Sequence, residues 1–161
     1  MNFCEAMQEA IGKENVILNY DASGLCDMSV FAAQKADVIV LALGESYILT
    51  GEASSVADIS LDASQVALIR KMRETGKKVV GVFFCGRPIA MQGVAEYLDA
   101  VLYAWHGGSE TAHAACDILF GDVVPSGKTP VTFPRLTGHI PLYYNVTSSC
   151  RPVNGYYRKR S

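Results

Sequence analysis

The chain has 161 residues, half of them hydrophobic and 19% charged, with a formal net charge of −2. That length suits one domain with a substantial core, and this balance excludes a disordered chain and argues against a basic nucleic-acid binder. No run reaches the ~18–20 apolar residues that span a bilayer, and Glu5, Glu9, Lys13 and Glu14 keep residues 1–15 from reading as a secretory leader.

Phe3, Met7, Ala10 and Ile11 share one helical face, so residues 2–12 are expected to form a helix. Residues 15–20 are a short β-prone run, 28–34 suggest a helix, and 36–44 (ADVIVLALG) form a nearly uninterrupted apolar strand. Such a run suits a strand covered on both faces, as in a parallel sheet. Residues 45–62 are polar and irregular. Val66, Ile69 and Met72 put 64–75 on a helix, with Gly76 as its stop. Residues 78–85 form a second apolar strand, Gly86-Arg87-Pro88 turns the chain, and 101–105 is a third short strand. Ser109 is placed to cap a helix running to Phe120. Strands alternating with helices in this way predict an α/β domain, a three-layer sandwich around a mostly parallel sheet. Residues 141–161, with two Tyr pairs among Ser, Asn, Gly and Pro, read as irregular, and Arg158-Lys159-Arg160 as a frayed tail.

Several apparent motifs dissolve on inspection. Gly127-Lys128-Thr129 imitates the end of a phosphate-binding loop, but five residues rather than four separate Gly121 from Gly127. The segment also follows a helix and leads into proline-flanked extended chain, the reverse of the strand-to-helix geometry that phosphate requires. Cys4, Cys26, Cys85, Cys116 and Cys150 are odd in number and widely spaced, which argues against a disulfide framework, and Cys85 reads as a small core residue. His106, Glu110, His113 and Cys116 lack the paired cysteines of a zinc site and suit surface and helix packing, so no metal is expected. Cys116 with His113 as its base is a weak nucleophile pair. Gly44, Gly107 and Gly108 follow strands without a GxGxxG, and Asn145-Val146-Thr147 fits a glycosylation acceptor.

In parallel sheets, ligands meet the loops at the carboxyl ends of the strands. Those loops are residues 45–62, 86–88 and 106–110. The first holds Glu45, Glu52, Asp58 and Asp62 with no lysine or arginine. A solvated loop would look the same. The functional alternative is that Glu52, between Gly51 and Ala53, is a carboxyl presented to a substrate by small neighbours, as a general acid requires.

Four stretches, in order, resemble the C-terminal α/β domain of glycoside hydrolase family 3, the β-glucosidase and β-xylosidase group. They are Ala36-Asp37-Val38-Ile39-Val40 with Gly44-Glu45; Thr50-Gly51-Glu52-Ala53-Ser54-Ser55; Gly86-Arg87-Pro88; and a closing pattern. The last comprises Ala104-Trp105, Gly108, Glu110, Leu119-Phe120-Gly121-Asp122, Pro125-Ser126-Gly127-Lys128 and Ile140-Pro141-Leu142-Tyr143-Tyr144-Asn145. The chain departs from the family pattern at residues 56–63, where many members carry an Arg and a Leu-Pro pair. It departs again at His106-Gly107 and Thr111-Ala112.

The resemblance implies a flavodoxin-like outline and a retaining β-glycosidase acting on a β-linked glucoside or related sugar. It places the nucleophilic Asp in an N-terminal barrel domain of the same polypeptide and gives Glu52 the general acid/base role. Glu45 competes for that role or supports it by hydrogen bonding. The isolated chain is then half of an active site and inactive by itself. No metal or organic cofactor, no nucleic acid and no membrane is implied, and a periplasmic or secreted enzyme fits. The rival readings are a non-catalytic structural or sugar-subsite module and an independent flavodoxin-like cofactor binder.

Overall fold

The computed structural model of the chain describes residues 2–20 and 27–145. Helix α1 (Phe3–Ile11) opens with a capping box: the Asn2 side chain accepts from the Glu5 N–H and the Glu5 carboxylate accepts from the Asn2 N–H, both at 2.9 Å. Helix α2 (Asp27–Lys35) feeds strand β1 (Val38–Gly44). A long loop then leads to helix α3 (Ala63–Glu74), which Asp62 caps through the Ser64 N–H at 2.8 Å. Gly76, at φ 75°, ends it as the sequence suggests. Strand β2 (Lys78–Phe84), strand β3 (Ala100–Tyr103) and helix α4 (Thr111–Phe120) complete the order.

The three strands form one all-parallel sheet in the order β1-β2-β3, with Val38 opposite Lys78, Gly44 opposite Phe84 and Phe83 opposite Tyr103. Ile39, Leu41 and Leu43 alternate onto one face with Val79 and Phe83, where Ala33 of α2 and Ile69 and Met72 of α3 pack on them. Ile69 is fully buried; a side chain of that size contributes about 1.5–3 kcal/mol in transfer from water. On the other face, Phe3 of α1 meets the Phe84 ring edge-on at 5.4 Å. Small residues on α4 (Ala112 and Cys116) let α1 settle close through Ala6, Met7 and Phe3. Helices on both faces of a parallel sheet make the expected α/β sandwich.

Three local expectations need correction. Residues 15–20 form no strand. A 3-10 turn (Lys13–Asn15) precedes extended chain that pairs with no strand among the described residues, because β-prone side chains make a strand only where a partner backbone is available. Ser109 does not cap α4; Glu110 occupies that position without a side-chain bond, and the Thr111 hydroxyl donates to the Gly108 carbonyl at 2.7 Å instead. Strand β1 is covered on one face only among the described residues: Val38 is 49% exposed and Ala42 is exposed. Cys4, Cys85 and Cys116 are free thiols, while Cys26, Cys150, Val146, Thr147 and the basic tail lie outside the described residues.

Candidate active site at the carboxyl end of the sheet

The loops after β1, β2 and β3 meet at one end of the sheet. Gly44 is where β1 stops. A Cβ there would stand 2.1 Å from the Phe84 carbonyl oxygen, so only glycine lets the two strands end side by side. Gln65 of α3 holds the same residue through both its backbone groups, accepting from the Gly44 N–H at 2.9 Å and donating to its carbonyl at 2.7 Å.

Glu45 follows immediately, its side chain 7% exposed, and its Oε1 lies 3.2 Å from Nε of Arg87 in the loop after β2. Oε2 is buried with no hydrogen-bond partner. An unsatisfied buried acceptor costs on the order of 1–3 kcal/mol, so this carboxylate is held in place at a cost to stability. Arg87 also donates through Nη2 to the Leu49 carbonyl at 2.9 Å, the residue that closes a 3-10 turn (Tyr47–Leu49). The loop after β1 is therefore tied to the loop after β2.

Glu52 stands beyond that turn. The Ser54 N–H donates to the Gly51 carbonyl at 3.2 Å, closing a β-turn around Glu52 and Ala53. Ala53 carries φ 61°, as the third position of a type II turn requires and as a residue with a Cβ adopts reluctantly. Glu52 is exposed, and among the described residues nothing pairs with its carboxylate. The far limb of the loop is fastened again. Asp58 accepts from the Thr137 hydroxyl and from the Ser60 N–H at 2.9 Å, the Ile59 N–H donates to Thr137 Oγ1 at 3.2 Å, and the Ala90 N–H donates to the Ile59 carbonyl at 2.9 Å. The Thr137 hydroxyl, with help from Ser60, holds the Asp58 carboxyl below its ordinary range.

An aromatic floor lies behind these loops. Trp105, at φ 55°, sits with its ring 4.6 Å from Tyr103 and 5.9 Å from Phe133, which reaches in from the C-terminal segment. The Tyr103 hydroxyl donates to the Arg87 carbonyl at 2.6 Å and accepts from the Ile89 N–H at 3.1 Å. Burial, followed by the neighbouring Cys85 thiol, pushes the Tyr103 phenol upward; burial does the same to Cys85. Both stay protonated at neutral pH. His106 packs so closely on Gly86 that a Cβ there would meet its Nε2 at 2.8 Å. Beside Arg87, a groove of about 250 Å³ is lined by Ile59, Pro88, Val131, Ile140 and Leu142, among others.

The expected site residues thus divide. Glu45 and the Glu52 loop gather at the strand ends with Arg87. Asp62 caps α3, and the Ser64 hydroxyl and N–H keep its carboxyl low. His113 bonds Glu110 at 3.0 Å and faces Glu9 at 3.5 Å, a helix-pairing contact, while Cys116 is buried against α1. Among the described residues no three His, Cys, Asp or Glu groups converge on a metal position. Sequence reasoning missed Thr137, Gln65 and the pairing partner of Arg87. The one available signal was an arginine at a strand end facing an acidic loop that has no cation of its own.

A parallel α/β domain with a free carboxylate, a half-buried ion pair and an aromatic floor at its strand ends belongs to the class that builds ligand sites there. The sequence matches the model of the glycosyl hydrolase family 3 C-terminal domain over residues 2–159, and the chain belongs to that family. It is 44% identical over 130 residues to a periplasmic beta-glucosidase of Salmonella typhimurium, covering 81% of this chain and 17% of that protein. A beta-xylosidase of Formosa agariphila is 35% identical over 150 residues, 87% of this chain and 20% of that protein. The crystal structure of a beta-glucosidase from Listeria innocua in complex with glucose superposes with a TM-score of 0.77 at 39% identity, over 83% of this chain and 19% of that one. The chain spans about a fifth of the length of these relatives.

Proposed function

We propose that this chain is the C-terminal domain of a retaining β-glycosidase and that Glu52 is its general acid/base. The observation that carries the reading is the contrast between two carboxylates in one loop. Glu45 is buried and committed to Arg87, whereas Glu52 stands exposed and unpaired on a turn whose next residue is held at positive φ. Backbone strain of that kind persists where the surrounding structure imposes it, often beside reacting groups.

An N-terminal barrel domain of the same polypeptide would supply the nucleophilic Asp, with the two carboxyl groups ~5–5.5 Å apart across the scissile bond. Glu52 would protonate the leaving oxygen as the Asp attacks the anomeric carbon, forming the glycosyl-enzyme. It would then take a proton from the water that releases the sugar. The substrate is a β-linked glucoside or related glycoside. The Salmonella relative is named as periplasmic, and no helix among the described residues is long and apolar enough to cross a membrane; a periplasmic or secreted enzyme agrees with both.

The test is turnover of aryl β-glucosides and β-xylosides by the whole polypeptide and its Glu52→Ala variant. The expected loss is ~10²–10⁴-fold in kcat/KM with poor leaving groups, the contribution general acid–base catalysis makes. Azide should restore turnover of an activated aryl glycoside and yield the β-glycosyl azide. Unchanged activity in Glu52→Ala would leave the domain a structural role only.

A further inference from the structure

We propose that Glu45 and Arg87 are positioning residues that set where Glu52 stands, a role that rests on the acid/base reading of Glu52. The loop between β1 and α3 is anchored at two places with its tip between them. On the near side, the Glu45 carboxylate holds Arg87 at 3.2 Å, and the same guanidinium reaches on to the Leu49 carbonyl at 2.9 Å. Leu49 closes the turn that ends three residues before Glu52. On the far side, Thr137 holds Asp58 and Ile59. Between the anchors, the bond from the Ser54 N–H to the Gly51 carbonyl is the one backbone hydrogen bond within residues 51–57 among the described residues.

The near anchor is stiff in each of its parts. Glu45 leaves a strand end that Gln65 clamps through both the N–H and the carbonyl of Gly44. Arg87 has its own carbonyl bonded by the Tyr103 hydroxyl, which in turn stands against the Trp105 and Phe133 rings. A planar guanidinium suits this task because its donors point in fixed, different directions, so one side chain can hold a carboxylate and a carbonyl together. Lysine offers one ammonium at one point. Glu45 is also buried with one oxygen unsatisfied, and a buried polar atom kept without a partner calls for an explanation outside stability. Holding Arg87 over Leu49 supplies one.

The experiment uses the whole polypeptide that carries this chain, with Arg87→Met, Arg87→Lys and the double variant Glu45→Gln/Arg87→Met. The double variant leaves no buried charge unpaired, so the test stands even where Arg87→Met alone fails to fold. Amide exchange is read over residues 47–54 and over β1 and β2, and kcat/KM is read across aryl β-glucosides from phenyl to 2,4-dinitrophenyl. The tether predicts roughly 10-fold or more faster exchange at the bonded amides of Leu49, Thr50 and Ser54 with the strands unchanged. It also predicts a loss of about 10-fold or more on the phenyl glucoside against about 3-fold or less on the dinitrophenyl one, because only a poor leaving group needs the acid. Arg87→Lys should fall between parent and Arg87→Met in both. A merely structural role would lower all substrates alike. Exchange at the parent rate overturns the tether whatever Glu52 does. Faster exchange with a flat leaving-group response in Glu52→Ala overturns the acid/base reading instead, and the positioning role with it.

Discussion

Gly44 meets a steric demand and a hydrogen-bonding demand in one residue. Its hydrogen faces the Phe84 carbonyl, and its N–H and carbonyl are both held by Gln65. Gly44→Ala would force β1 away from β2 at the end that carries the site. The expected loss is about 3 kcal/mol, the upper range for forcing extra volume into a packed place, read as a lower urea midpoint at unchanged slope. Gly81→Ala is a useful contrast, since its Cβ would meet side chains, Leu98 at 2.8 Å and the Phe83 ring at 3.0 Å, rather than a backbone carbonyl; its penalty should be the smaller. At this scale the sequence shows which groups are present and not which ones meet. Glu52 and Glu45 stand out because acidic residues crowd a loop with no cation. Arg87 finds the Leu49 carbonyl 38 residues away in the chain, and no local pattern encodes that meeting.

Elements were legible where their signals are local. The α1 face of Phe3 and Met7 and the Gly76 stop follow from 3.6-residue periodicity and from the freedom of glycine at positive φ. The run at 15–20 misled because strand formation depends on a neighbour that the run itself does not specify. The α1–α4 pair adds an electrostatic element to its apolar packing. His113 on α4 lies between Glu110 and, across the gap, Glu9 on α1, and these two carboxylates raise its pKa above the usual 6.5, Glu110 the more. A raised histidine pKa adds stability that is complete below the unfolded value and disappears as pH climbs through the folded one. The parent should therefore exceed His113→Gln in melting temperature at pH 5–6, and the two should converge toward pH 9. A constant difference across that range would place the contribution of His113 in packing.

For the whole molecule, the side bearing the site is also an apolar one. Tyr47 is 85% exposed and Ile48 69%, on the turn after β1, and Ile140 and Leu142 are 47% and 42% exposed in the groove beside Arg87. Isolated soluble domains seldom leave contiguous apolar area of more than a few hundred Å² uncovered. Under the function proposed above, the barrel domain is what covers it. The 161-residue chain by itself should then bind a hydrophobic dye and self-associate at high concentration. Tyr47→Ser with Ile48→Ser should reduce both without lowering the unfolding midpoint, as sedimentation and dye titration would record. A dye-silent monomer would argue that this surface meets only water.

Trp105 is the only tryptophan in the sequence, and the fold seats it where β3, the loop after β2 and the C-terminal segment converge through Tyr103 and Phe133. The molecule therefore carries a built-in optical probe at the end of the sheet where chemistry is proposed. Red-shifted indole emission that precedes the loss of far-ultraviolet ellipticity would mean that the Phe133 segment lifts from the strand ends before the sheet melts. Coincident curves would mean that the strand ends and the sheet unfold as one cooperative unit.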